Sequence, residues 1–145
     1  MINTLMLIDD ENLFHLVFED ACSILDMALS IEALDSSDEA DAKFKEWFPD
    51  DPHQERPECV FVDLNIIGSS MDGIETIKKI NHEYGNGCVI GIISSSEDEE
   101  EIDKAKAVGA QFWIIKSDDI EPRLEEFRKD YDGYLNQTAP FKVYK

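Results

Sequence analysis

Bases are scarce in this chain. Thirteen lysines and arginines stand against 33 aspartates and glutamates, a formal net charge of -20. Such a surface repels phosphate backbones and anionic membranes, which excludes direct nucleic-acid binding and attachment to a membrane by charge. Long apolar runs are missing as well; none approaches the roughly 20 residues of a membrane span. Met1-Ile2-Asn3-Thr4 leads straight into an apolar run with no basic stretch before it, unlike a secretion signal. Cysteine is sparse. Cys22, Cys59 and Cys88 are odd in number and far apart, which argues against a disulfide framework or a zinc cluster and for reduced thiols in a cytoplasmic protein. Of five prolines, three (Pro49, Pro52, Pro57) fall within nine residues. That segment can be neither helix nor strand, and it reads as one long exposed loop.

What is present fits one domain: 145 residues, 43% of them apolar, are enough for a real core. Strands are expected at 4–8, 26–33, 59–64, 88–93 and 111–115. A helix is expected over about 12–24, capped by Asp10 or Asn12, with Leu13, Leu16, Val17 and Ala21 at helical spacing. Further helices are expected from Ser36-Ser37-Asp38 to near Phe48, over 74–81, from Ser96 or Glu97 to about Val108, and from Asp118 or Asp119 to Gly133. Gly85-Asn86-Gly87 reads as a turn and Gly109 as a helix stop. Five strand-then-helix units predict a doubly wound parallel α/β domain over residues 1–133, with residues 134–145 a tail carrying no output domain.

Four of the apolar runs end on a polar residue. Leu5-Met6-Leu7-Ile8 delivers Asp9 and Asp10, Val60-Phe61-Val62 delivers Asp63, Val89-Ile90-Gly91-Ile92-Ile93 delivers Ser94, and Phe112-Trp113-Ile114-Ile115 delivers Lys116. In an open parallel sheet, ligand sites lie beyond the carboxyl ends of the strands. Three carboxylates, a hydroxyl and an ammonium gathered there would suit a hard cation and a phosphoryl group.

In these pieces, together with Val62-Asp63-Leu64-Asn65, Met71-Asp72-Gly73 and Gly109-Ala110, the chain resembles the receiver domain of two-component response regulators, chemotaxis-type and single-domain. The resemblance covers residues 4 to about 132. It implies a five-stranded parallel sheet of order 2-1-3-4-5 in a three-layer α/β/α sandwich. It implies Mg²⁺ held by Asp9, Asp10, Asp63 and the backbone carbonyl of Asn65. Asp63 would be the phosphoacceptor, taking its phosphoryl group from a sensor histidine kinase or a histidine phosphotransfer protein. Lys116 would pair with that aspartate and then with a phosphoryl oxygen. Ser94 would be the switch hydroxyl and Trp113 the switch aromatic. Ser94 is singled out from Ser94-Ser95-Ser96 because it lies 15 residues before Gly109 and 22 before Lys116.

Such a protein signals rather than catalyses, beyond its own phosphoryl transfer and slow aspartyl-phosphate hydrolysis. Its output would be contact with a downstream protein, as a monomer or a weak phosphorylation-dependent dimer. The alternative is a non-phosphorylated pseudo-receiver serving as an interaction module; the retained acids and Lys116 argue against it. A flavodoxin-like electron carrier would need a Ser/Thr/Gly-rich loop where Asp9-Asp10-Glu11-Asn12 stands. An aspartate-nucleophile phosphatase would want an acid at Asn65.

The chain departs from the family pattern twice. Asp63 to Gly73 spans ten residues where eight is usual, and Ser117 replaces the usual proline after Lys116, so a trans peptide is expected there. Glu97-Asp98-Glu99-Glu100-Glu101-Ile102-Asp103 loads the fourth helix with acid, read as a solvated face or as a seat for a basic partner.

Overall fold

The computed structural model describes residues 2–47, 56–84 and 87–145, the Trp47 side chain apart. Most of the proline-bearing loop, and Gly85-Asn86 of the expected turn, lie outside the described residues. Strands β1 (Ile2–Ile8), β2 (Ala28–Leu34), β3 (Cys59–Asp63), β4 (Val89–Ser94) and β5 (Phe112–Ile115) alternate with helices α1 (Asn12–Ile24), α2 (Ser37–Trp47), α3 (Gly73–Tyr84), α4 (Glu99–Ala107) and α5 (Glu121–Leu135). A further strand, β6 (Lys142–Tyr144), follows. All pairs are parallel, in the order β2-β1-β3-β4-β5-β6. The predicted doubly wound sheet and its order 2-1-3-4-5 hold, with one strand added at the β5 edge.

β3 and β4 are buried along their whole length, as internal parallel strands covered on both faces must be. On one face α1 and α5 close over an aromatic cluster. The Phe61 ring stands near-perpendicular to Phe18 and Phe112 at centroid distances of 5.2 and 5.1 Å and meets Phe127 edge-on at 65° and 5.2 Å. Each such pair contributes about 0.5–1.5 kcal/mol beyond its buried area. The other face is aliphatic: Met6, Ile8, Val60, Val62, Ile90 and Ile92 pack against Phe44, Ile77, Ile80 and Ala105, and Trp113 joins them.

Several local expectations are corrected. Leu13 and Leu16 are 74% and 64% exposed, while Phe14, Phe18, Ala21 and Cys22 form the inner face of α1. Both stripes are apolar at helical spacing, so periodicity could not choose between them. The stripe with two phenylalanines buries more area and meets Phe61. Neither Asp10 nor Asn12 caps α1; Glu11 holds the cap position without a side-chain bond. β2 starts at Ala28, not at Asp26, whose φ of 51° is left-handed and incompatible with a strand. α3 runs on to Tyr84, whose ring stacks on Phe44 and whose hydroxyl donates to Asp41 Oδ1 at 2.6 Å.

α5 passes through Gly133 to Leu135. That glycine does not stop the helix. A Cβ there would lie 2.9 Å from Ala139 Cβ, so its bareness lets the chain fold back, with Thr138 and Ala139 N–H donating to the Gly133 carbonyl. The fold-back is what returns the tail as β6.

Candidate functional site

The registers Ile8↔Val62, Asp63↔Ile93 and Ser94↔Ile115 bring the carboxyl ends of β1, β3, β4 and β5 level. The residue that follows or closes each strand therefore reaches a common hollow. One carboxylate oxygen from each of Asp9, Asp10 and Asp63 lies within 4.8 Å of the others. Asp9 and Asp63 are buried and Asp10 is half-buried. An all-carboxylate donor set fits a hard divalent cation and not the nitrogen and sulfur set preferred by structural zinc.

Each carboxylate is oriented. Asp9 Oδ1 accepts from the Glu11 N–H at 2.8 Å, and Asp9 Oδ2 accepts from Lys116 Nζ at 2.8 Å. Asp10 Oδ2 accepts from the Ile67 N–H at 3.3 Å. The Asp63 carboxylate lies 3.5 Å from Lys116 Nζ and is bonded by the Asn65 backbone. Burial pushes Asp63 up to about 7, and the charges of Asp9 and Asp10 add to this; Lys116 and the Asn65 bond oppose it without cancelling it. Burial alone would lower Lys116. Its bonds to Asp9 and Glu11 and the charge of Asp63 outweigh that and hold its pKa above the ordinary value.

The close approach of α3 also depends on sequence. Gly73 donates its N–H to the Leu64 carbonyl at 2.9 Å, and a Cβ at Gly73 would lie 2.3 Å from the Asp63 carbonyl oxygen. Only glycine allows α3 to start that close behind Asp63.

Ser94 is buried at the end of β4, and its Oγ accepts from the Ser96 N–H at 3.1 Å. Trp113 is fully buried and donates its indole N–H to the Ser96 carbonyl at 3.1 Å. Ser96 thus ties the hydroxyl to the aromatic. Asn65 is exposed beside Asp63.

All the sequence-predicted residues lie at or behind this end of the sheet, and four groups were missed. Glu11 Oε1 accepts from Lys116 Nζ at 2.9 Å, so the lysine is shared between Asp9, Glu11 and Asp63. The Phe14 ring lies 4.4 Å beneath the same ammonium. His15 Nε2 is 2.5 Å from the Asp9 carbonyl oxygen, an arrangement that pins the strand end. The loop after Asp63 is folded onto α2. Ser70 donates N–H and Oγ–H to Asp38 at 3.1 and 2.5 Å, and Ser69 Oγ accepts from the Ser37 N–H at 3.0 Å. Glu11, adjacent to the acid pair, and the length of the loop after Asp63 left a signal in the sequence; Phe14 and His15 left none.

The model of the response regulator receiver domain matches residues 5–126. The chain belongs to the response regulator receiver family. Solved receivers share its fold. The phosphorylated cyanobacterial phytochrome response regulator RcpA aligns with a TM-score of 0.71 at 18% identity, over 96% of this chain and 97% of its own. Chemotaxis protein CheY4 of Vibrio cholerae gives 0.70 at 20% identity, over 89% and 98%. The Mn²⁺-bound form of response regulator Rcp1 gives 0.66 at 15% identity, over 95% and 98%. No curated protein matches the receiver. Among its described residues, no helix is long and apolar enough to cross a membrane.

Proposed function

We propose that this receiver accepts a phosphoryl group on Asp63 from the phosphohistidine of a sensor histidine kinase or histidine phosphotransfer protein, and passes the signal on by protein contact. The observation that carries this is the Asp63 carboxylate itself: buried at a strand end, crowded by two further carboxylates, with an ammonium 3.5 Å away. A carboxylate in that setting is costly unless cationic charge joins it. Asp9, Asp10, Asp63 and the Asn65 carbonyl would hold Mg²⁺; one receiver of the same fold is described as Mn²⁺-bound. The cation would supply the positive charge that lets an anionic phosphoryl group approach a carboxylate.

The chain's own residues do the rest. An Asp63 oxygen attacks phosphorus as the nucleophile. The P–N bond to the imidazole breaks, its electron pair stays on nitrogen, and an acyl phosphate forms on Asp63. Lys116 swings its ammonium from the carboxylates toward the new phosphoryl oxygens. Ser94 gives up the Ser96 N–H and turns its hydroxyl toward the same oxygens, and Ser96 carries that movement to Trp113.

Intact-mass analysis after incubation with Mg²⁺ and acetyl phosphate tests the assignment. One added phosphoryl group is expected in the wild type and none in Asp63→Ala. An adduct that persists in the variant would place the acceptor elsewhere.

A further inference from the structure

The two edges of the sheet differ. At one, β6 covers β5 and leaves an end strand only three residues long. At the other, β2 is the end strand, and among the described residues no strand lies against its outer side. An unpaired edge presents a row of backbone N–H and C=O groups to any extended chain. Proteins ordinarily guard such an edge with lysine, proline, a bulge or a very short strand. β2 has none of these. Ala28-Leu29-Ser30-Ile31-Glu32-Ala33-Leu34 is seven residues long and keeps a constant register with β1. Its one charge, Glu32, is ion-paired with Lys43 of α2.

Apolar surface beside this edge is open to solvent. Leu29 is 72% exposed, and Ile24, which closes α1, is 62% exposed. Between α1 and the strand lies a hollow of about 320 Å³, lined by Leu29 and Ile31 and, across from them, by Glu19, Ser23 and Asp26. Strand side chains alternate, so Leu29 shares a face with Ile31, which packs on the core beneath α1. A chain laid along β2 would find backbone partners at the edge and room for side chains on the α1 face.

Charge sets the chemistry of that chain. Lys43 is the first lysine or arginine of the sequence, and eleven acids precede it. Glu19 and Asp26 are exposed at the hollow and form no ion pair among the described residues. Arg128 reaches this end of α1 from α5, but it is engaged by the Leu25 carbonyl at 2.5 Å. A second copy of the chain would bring the same acids to the edge and be repelled.

We propose that the outer edge of β2 is a docking site for an extended segment of a partner protein, rich in apolar and basic residues, which joins the sheet as a further strand. Its backbone pairs with β2. On the α1 face its apolar side chains cover Leu29, and its bases meet Glu19 and Asp26. The site lies two strands from Asp63 and does not depend on phosphorylation there.

The test uses the full chain and a blocked heptapeptide of alternating valine and lysine, titrated by calorimetry at physiological salt. Saturable one-to-one binding is expected, with slowed amide exchange confined to residues 28–34. The same peptide N-methylated at alternate residues keeps its charge and loses backbone donors; it should bind about ten-fold more weakly. Leu29→Asp, at an exposed position, should weaken binding several-fold although it adds negative charge. Adhesion by charge alone would instead be strengthened. Glu19→Lys, exposed on α1, should weaken binding as well. No binding by the wild type, equal affinity for the methylated peptide, tighter binding by Leu29→Asp, or slowed exchange at another element each overturns the proposal. Unchanged affinity in Glu19→Lys overturns the basic chemistry of the partner. Self-association of the wild type that Leu29→Asp abolishes would make a second copy the occupant, which also overturns it.

Discussion

At the residue scale, the chemistry turns on how one ammonium is divided among three carboxylates. Lys116 Nζ is nearer Asp9 and Glu11 than Asp63, so the proposed nucleophile receives the smallest share of its charge. The protein keeps Asp63 protonated to a higher pH than the unfolded chain does. Between its ordinary value of 3.8 and about 7, the native state holds a proton that the unfolded state has lost. Stability therefore falls as pH rises through that window and levels off above it, by a few kcal/mol at most. Chemical denaturation of the metal-free protein from pH 4 to 8 should show a decline that is shallower in Asp63→Asn. The difference between the two curves isolates this carboxyl from the repulsion among the remaining acids, and a parallel pair of curves would contradict the assignment.

Glu11 and Lys116 make an asymmetric pair of positions. Glu11 is mostly exposed, so Glu11→Gln should change stability by less than about 1 kcal/mol. It should also release Lys116 toward Asp63 and lower the pH at which Asp63 titrates. Lys116→Met leaves Asp9 and Asp63 buried without a counter-charge, and it should cost several kcal/mol at neutral pH in the absence of metal. Urea midpoints of the two variants at pH 7.5 would separate these outcomes.

At the scale of elements, the site is placed by strand ends and by the loops that leave them. The β3–α3 connection is held against α2 and the start of α3. Asp38 binds Ser70, the Ser37 hydroxyl lies 2.6 Å from Thr76 Oγ1, and Thr76 Oγ1 donates to the Asp72 carbonyl. The Ser70 bonds lower the pKa of Asp38. The helix behind this loop starts where it does because Gly73 has no side chain. Gly73→Ala should push α3 off the Asp63 carbonyl, with a stability loss above about 1 kcal/mol and weakened Mg²⁺ binding in calorimetry. Stability loss with unchanged metal affinity would mean that α3 moves without carrying Asp63. Deletions in the proline-bearing segment should leave metal affinity unchanged, since it leads into β3 at Cys59, the end of that strand away from Asp63.

At the scale of the whole molecule, the sheet separates two cores and joins two ends. The aliphatic face contains Trp113, and the path from Ser94 through Ser96 to Trp113 runs from the acid site to the β5 edge. Ser94→Ala should still accept phosphate, because the hydroxyl is not the nucleophile. It should fail to move β5 and α4. Backbone amide shifts of residues 97–125, with and without Mg²⁺ and beryllofluoride, decide this: large changes are expected in the wild type and small ones in Ser94→Ala. Equal changes in both proteins would mean that the signal takes another route.

The sequence determined by itself which residues end the strands and what chemistry they carry. An internal parallel strand must be apolar throughout, so a polar residue at its carboxyl end stands out, and Asp9, Asp10, Asp63, Ser94 and Lys116 were legible for that reason. Gly73 was legible as part of a motif, though not the 2.3 Å approach that demands it. Tertiary structure decided what local pattern leaves degenerate. α1 had two apolar stripes, and the contact of Phe18 with Phe61 chose between them. Lys116 had three acids within reach, and backbone geometry shared it out among them. Phe141-Lys142-Val143-Tyr144 has strand-favouring residues but is too short for pattern alone to announce a strand. It becomes one because Gly133 lets the chain turn back onto a β5 edge whose hydrogen-bonding groups were still unpaired.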